Sequence, residues 1–352
     1  MELREKIDNY LNSDITLYSP KDWQVFQRQT KEEGYVLFSG ACKAEKLNLV
    51  VRGKDLYDRD VEIKTEIKIT PHGYFNEKIK VPSGGWYEAS LTWGDCEKKI
   101  SHIGVGEIIV GAGQSNATNS GDTRCEQKSG MVSSTDGINW AYGNDPMIGA
   151  HDMIKQGGEG GGSFYPALGD KLYEEFHVPV GIACAGYGAT SVFQWQPGQL
   201  PIFYDPKVGI YFTEKGFGLY DYLMHRIAQL GVNGFRCLVW HQGESEWSST
   251  EDFVYEGMAN LILKSREDAG WYFPWFTAKA SFCPDAPLHE TTRRAHQKLW
   301  DKGISFEGPD TDRWIGEEYR DSTRIHFNPR GLKIHGEAWA DFLIKFIHEE
   351  ID

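Results

Sequence analysis

From about residue 104 onward, short apolar runs alternate with amphipathic stretches, and this alternation restricts the fold more than any other feature of the chain. Residues 108–110, 178–184, 236–240 and 272–278 read as buried strands. Between them, residues 166–176 set Leu168, Leu172, Tyr173 and Phe176 on one helical face, and 217–230 set Leu219, Leu223, Ile227 and Leu230 in helical phase. Residues 251–268 also read as a helix, and 330–348 as a closing one. Buried strands separated by helices pair in parallel through right-handed crossovers, so this part predicts a three-layer α/β domain. Chemistry on such a sheet belongs at the carboxyl ends of its strands.

The first hundred residues have another texture. Residues 23–27, 35–38, 47–51, 61–67, 76–82 and 86–91 are short β-branched and aromatic runs, several alternating with period two and separated by turn residues. They predict a β-sandwich of jelly-roll or immunoglobulin-like type, with residues 1–12 as a small leading helix. The chain has 352 residues, more than one compact core usually holds. The expected division is 1–103 for the β-domain and 104–352 for the α/β domain.

Composition excludes some partners. The hydrophobic share of 40% and charged share of 25% fit a soluble globular protein. A net charge of −14 argues against nucleic acid and anionic membrane. No apolar run is long enough to cross a bilayer. The polar start lacks a leader's apolar stretch, so the cytoplasm is the expected location unless a signal has been trimmed. Six cysteines, at 42, 96, 125, 184, 237 and 283, show neither close pairs nor metal-type spacing. Neither a disulfide framework nor a metal is expected, and no cofactor is implied. Residues 156–163 are glycine-rich but lack the Lys-Ser/Thr ending of a phosphate loop, and read as a loop at the rim of a site. The 12 Trp, 17 Tyr and 18 Phe supply large cores, with some of them available to stack on sugar faces.

Four loops at strand ends carry candidate chemistry. Ser115 follows the first α/β strand, with Gly111 and Gly113 allowing a tight turn before it. After Cys184 come Gly186, Tyr187, Gly188, Ala189, Thr190 and Ser191, where glycine brings backbone N–H groups close to a ligand. After Trp240 come His241, Gln242, Glu244, Ser245 and Glu246, a polar burst directly behind a buried strand. Before the last helix come Asp312, Asp321 and His326. A serine nucleophile needs a base, and the base an acidic orienter. His326 has the best context for the base, since His335 lies inside the last helix and His177 suits a helix end. His241 and Glu244 have metal-like spacing, but no second cluster completes a metal site.

These loops resemble the blocks of the sialate O-acetylesterase-like and acetylxylan esterase-like carbohydrate esterases of the SGNH-hydrolase superfamily. Residues 106–116, including Gly113-Gln114-Ser115-Asn116, are similar to the nucleophile block. Residues 178–182 with Gly188-Ala189-Thr190-Ser191 and Trp195 are similar to the second block. Trp240-His241-Gln242-Gly243-Glu244-Ser245 is similar to the third, and Asp321 to His326 with Gly331 to the last. The resemblance spans roughly residues 85–345. It implies a flavodoxin-like domain that removes acetyl groups from sugar hydroxyls, on acetylated xylan, other hemicellulose oligosaccharides or O-acetyl sialic acid. By the same resemblance Ser115 is the nucleophile and His326 the base. The oxyanion donors are the N–H groups of Ser115 and Gly188 and the Gln242 side chain.

Two departures stand out. Ala189 replaces a glycine of the second block, and Thr323 stands where the family carries an Asp three residues before the His. Asp321 is then the nearest acid, with Glu244 and Asp312 as alternatives. Trp195, Trp247 and Tyr187 lie in the site loops as candidate sugar contacts. A short-chain or lipid esterase on the same scaffold, and a non-catalytic carbohydrate-binding protein, are the rival readings.

Overall fold

The computed structural model describes residues 3–150, 161–200, 202–205, 210–213, 218–284 and 288–351. The fold is mixed α/β, and the chain divides into two compact units, residues 1–107 with 176–179, and residues 108–175 with 180–352.

The first unit begins with helix α1 (Leu3–Asn12), none of whose residues is buried. Strands β1 (Ile15–Ser19), β2 (Gln24–Gln27), β3 (Glu33–Cys42), β4 (Lys46–Lys54), β5 (Asp60–Lys68), β6 (Tyr74–Pro82), β7 (Gly84–Trp93) and β8 (Cys96–Gly113) follow. β1, β3 and β6 pair antiparallel as one sheet. β5, β4, β7 and β8 form a second antiparallel ladder, and β2 adds parallel to β8. Period-two alternation decides which residues face inward. Val36 and Phe38 of β3, Leu47, Leu49 and Val51 of β4, Phe75 and Val81 of β6, and Tyr87, Ala89 and Leu91 of β7 join one buried cluster.

Strand β8 is 18 residues long. The change of texture near residue 104 falls inside it, and the run read as a short strand at 108–110 is its last third. Every residue from Gly104 to Gly113 is buried, as expected for a strand covered on both faces.

The second unit continues with β9 (Val132–Thr135), β10 (Trp140–Tyr142), α2 (Tyr165–Phe176), β11 (Val180–Cys184), the hairpin β12 (Ile202–Asp205) and β13 (Ile210–Thr213), and α3 (Leu219–Leu230). Then come β14 (Cys237–His241), α4 (Glu251–Ala269), β15 (Trp275–Lys279), α5 (Glu290–Asp301), β16 (Phe306–Asp310) and α6 (Pro329–Ile351). Its sheet runs β10-β9-β11-β8-β14-β15-β16. The pairs β9/β11, β8/β14, β14/β15 and β15/β16 are parallel, and only the β9/β10 hairpin is antiparallel. Helix α4 illustrates the local logic. Thr250 caps it through a bond from Phe253 N, Gly270 ends it in the left-handed region, and Val254, Met258, Leu261, Ile262 and Ser265 form its buried face.

The strands and helices read from the sequence in this unit are present within a few residues of their expected bounds. Helix α5 and strands β9, β10, β12, β13 and β16 have no counterpart in the sequence reading. Of the glycine-rich loop, only residues 161–163 lie among those described; there Gly162 pairs with Gly121. All six cysteines are free. No helix among the described residues is long and apolar enough to cross a membrane.

Candidate active site

The strand order reverses at β8. The chain leaves β8 for β11 on one side and returns to β14 on the other, so a crevice opens at the carboxyl ends of β8 and β14. Ser115 stands there. Gly113 pairs with His241, and a Cβ on Gly113 would come 2.1 Å from the His241 carbonyl oxygen. With φ at +124°, this position requires glycine. Gln114 N donates to His241 O at 3.0 Å, and the chain enters the one-turn 3-10 helix Ser115–Ala117. Gln114 Oε1 accepts from Gly243 N and Ser245 N, both at 3.3 Å, which ties the nucleophile turn to the loop after β14. Ser115 keeps 8% of its surface exposed.

In the loop after β11, Tyr187 N donates to Gly113 O at 2.8 Å. This holds Gly188 at the same end of the sheet. The buried Thr190 hydroxyl accepts from Trp195 Nε1 at 3.0 Å and lies 2.9 Å from Tyr187 O and 3.4 Å from Gln242 Oε1. The Gln242 oxygen therefore faces Thr190, and its Nε2 points the other way. That nitrogen is buried and makes no hydrogen bond among the described residues. Glu246 lies nearby, and the Gln242 amide offsets part of burial's upward push on that carboxyl, though the contact falls outside hydrogen-bond geometry.

His326 sits on the loop between β16 and α6, closed by a bridge from Arg320 to Phe327. Its Nδ1 is 3.9 Å from Asp321 Oδ2, and Asp321 N donates to His326 O at 2.9 Å. The departure at Thr323 has a structural consequence. Asp321 Oδ1 accepts from the backbone and hydroxyl of Thr323. The Thr323 hydroxyl in turn accepts from His326 N at 3.4 Å. Thr323 thus bridges the shifted acid and the histidine.

The two alternative acids are engaged elsewhere. Asp312 accepts from Ser281 N, Ser281 Oγ and Phe282 N, and forms an ion pair with Arg293 at 2.7 Å. Glu244 Oε1 accepts from Asn116 Nδ2 at 2.7 Å and lies 3.0 Å from His241 Nε2.

The candidate sugar contacts separate. Trp195 is fully buried, with its ring 5.0 Å from that of Trp240 in a T-shaped pair. This corrects the expectation of a substrate contact, because a ring with no exposed face cannot stack on a sugar. Tyr187 is 7% exposed, whereas Trp247 is 56% exposed and remains available. Among the described residues no cluster of three or more His, Cys, Asp or Glu side chains is arranged to hold a metal.

Several residues that build the site have no role in the sequence reading: Gln114, Asn116, Thr190, Arg320 and His335. Arg320 is the least predictable. Its buried guanidinium holds the carbonyls of Trp314, Ile325 and Thr311 and stacks 3.8 Å over Phe327.

A serine at a strand end, a histidine with a carboxylate behind it and buried N–H donors are the parts acyl transfer requires. The family described as carbohydrate esterase, sialic acid-specific acetylesterase, matches residues 105–344, and the chain belongs to that family. Curated protein sequences give no match. Among solved structures, a carbohydrate acetylesterase from Xanthomonas citri is similar at a TM-score of 0.57 and 16% identity, over 93% of this chain and 74% of that one. A protein from Arabidopsis thaliana is similar at a TM-score of 0.50 and 16% identity, over 68% of this chain and 98% of that one.

Proposed function

We propose that this chain is a carbohydrate O-acetylesterase acting through an acetyl-serine intermediate on Ser115. The observation that carries this reading is the bonding of three loops at the strand-order reversal: Gln114 Oε1 accepts from Gly243 and Ser245 N after β14, and Asn116 Nδ2 donates to the Ile325 carbonyl beside His326. In the first half-reaction His326 takes the Ser115 proton, Ser115 Oγ bonds to the acetyl carbon, and the oxyanion is held by the N–H groups of Ser115 and Gly188 and by Gln242 Nε2. Collapse breaks the bond between the acetyl carbon and the sugar oxygen, and His326 protonates that departing oxygen to give the free hydroxyl. Water repeats the sequence and releases acetate. Asp321 orients His326; at 3.9 Å the pair is wider than a hydrogen bond, and such contacts commonly tighten when substrate binds. Trp247 supplies an exposed ring for a sugar face.

On this reading the second unit is a flavodoxin-like SGNH domain. The order β11-β8-β14-β15-β16 supports it, being the 2-1-3-4-5 arrangement of that fold. The first unit is a β-sandwich accessory domain, supported by two antiparallel sheets that share one core cluster.

The test is hydrolysis of p-nitrophenyl acetate against longer acyl esters, followed by acetylated xylan and O-acetyl sialic acid. Preference for acetate and release from a sugar polymer or monosaccharide support the reading; preference for long acyl chains overturns it in favour of a lipid esterase. Gln242→Ala should lower kcat by about 10²–10³ with the fold retained, the effect of removing one oxyanion donor. The acid is tested by a pair of variants. Asp321→Asn should lower kcat by roughly 10²–10⁴ without changing the melting temperature. Asp312→Asn should instead lower the melting temperature, because it loosens the loop at Ser281 and the bond to Arg293. Reversal of the two outcomes would assign the acid to Asp312.

A further inference from the structure

Behind the site runs an unbroken chain of buried polar groups: Trp339, His335, His241, Glu244 and Asn116, none more than 5% exposed. Trp339 Nε1 donates to His335 Nε2 at 3.0 Å. That same nitrogen is 3.1 Å from His241 Nδ1. His241 Nε2 is 3.0 Å from Glu244 Oε1, which also accepts from Asn116 Nδ2 at 2.7 Å. The second N–H of the Asn116 amide reaches Ile325 O at 3.2 Å, the carbonyl directly before His326.

Counting protons fixes the state of this chain. An indole N–H can only donate, so His335 Nε2 is the bare nitrogen, and the proton of this ring is on Nδ1. Burial holds His335 well below its usual range and therefore neutral. His241 presents Nδ1 to that bare nitrogen and Nε2 to Glu244. Burial pushes the Glu244 carboxyl upward, but the charge of His241 and the hydrogen bonds from His241 and Asn116 outweigh it and hold the group at about 2. Glu244 is then a carboxylate, and His241 Nε2 donates to it. The other charged or titratable groups around the pair are His296 on α5, Glu246 on the same loop and Arg320 on the base loop. His296 is kept near 4 by burial and by His241, so it adds no charge.

We propose that the buried His241–Glu244 pair positions the nucleophile turn against the base loop, through the Asn116 amide and the Ile325 carbonyl. His241, Glu244 and Asn116 are positioning residues and touch no substrate atom. Asn116 follows Ser115 directly, so a single amide spans from the nucleophile's neighbour to the base's neighbour. Without the charge on Glu244 the amide loses its stronger anchor, and a misplacement of about 1 Å between reacting groups costs on the order of 10²-fold in rate. This inference rests on Ser115 and His326 being nucleophile and base.

The test has two arms. Imidazole nitrogen NMR on the unmodified protein at neutral pH should show His241 Nε2 protonated and His335 protonated on Nδ1 alone. A bare His241 Nε2 overturns the bond to Glu244, whatever the enzyme hydrolyses. In the kinetic arm, Asn116→Ala should lower kcat by about 10²-fold with KM changed less than about threefold. Glu244→Gln, which keeps an acceptor for Asn116, should lower kcat by only about tenfold. Unchanged kcat in Asn116→Ala overturns the positioning role. If Ser115→Ala retains turnover, the nucleophile assignment has failed instead, and the NMR result still stands on its own.

Discussion

Ser115→Ala should lower kcat on p-nitrophenyl acetate by about 10⁴–10⁶ while leaving the melting temperature near that of the parent protein. The size follows from loss of the only group that forms a bond to the acetyl carbon, since residual catalysis over water then comes from oxyanion donors and binding alone. The fold should survive because the substitution removes a single oxygen atom. His326→Ala should fall by a similar factor, and the double variant by little more than either single one, because nucleophile and base act as a unit. A rapid acid quench of the parent enzyme should leave acetate on the peptide that carries Ser115. Turnover surviving in the serine variant, or an adduct on another residue, would refute the assignment.

Much of the α/β framework was legible because its strands are apolar throughout. β11 and β14 are buried at every position, and the run of Val180, Ile182, Ala183 and Cys184, or of Cys237, Leu238, Val239 and Trp240, admits few other readings. Helix α5 was hidden for the opposite reason. Its buried face is Thr292, Ala295, His296 and Leu299, two of them polar, so the apolar periodicity that marks a helix is weak. Strand β16 carries Gly308, Pro309 and Asp310, residues that normally argue against a strand. It stands last in the sheet order, and at an edge a missing N–H costs no ladder bond.

The site divides along a similar line. Position at a strand end identifies Ser115, Gln242 and His326 as candidates, because sheet topology brings strand ends together regardless of side chains. Which carboxylate backs the histidine depends instead on loop geometry. The spacing alone left Asp321, Asp312 and Glu244 open, and hydrogen bonds separate them: Asp312 is held by Ser281 and Arg293, Glu244 by His241 and Asn116. Trp195 misled because an aromatic in a site loop has the same letter whether it lines a cleft or fills a core. Only its burial and its bond to Thr190 distinguish the two.

Arg28→Ala should destabilise the protein by about 3–5 kcal/mol, the largest stability effect we expect from one surface-remote substitution. Arg28 Nε meets Glu107 Oε1 at 2.7 Å, with both side chains buried at 1% and 0% exposure. Gln27 Nε2 donates to the other carboxylate oxygen at 2.9 Å, and the guanidinium lies 5.2 Å from the Phe176 ring centre. Truncating the arginine takes the charged partner from a buried carboxylate, which keeps the neutral amide of Gln27, and also loses the contact over Phe176. The cost arises from the carboxylate left without its charged partner more than from the pair itself, and this separates two outcomes. Replacing both partners by apolar residues, Arg28→Met with Glu107→Leu, should recover most of the loss, since well-packed apolar replacements of buried pairs are often neutral or stabilising. Urea unfolding followed by tryptophan fluorescence measures both. A single variant that loses less than about 1 kcal/mol would mean that the carboxylate finds another partner or a proton. Glu107 lies on β8, the strand that leads to the Ser115 turn, with residues 108–113 between the pair and that turn. The single variant should therefore keep its kcat at low temperature and lose activity only as its lower melting range is approached, and a kcat already reduced in the cold would show that β8 transmits the damage to the site.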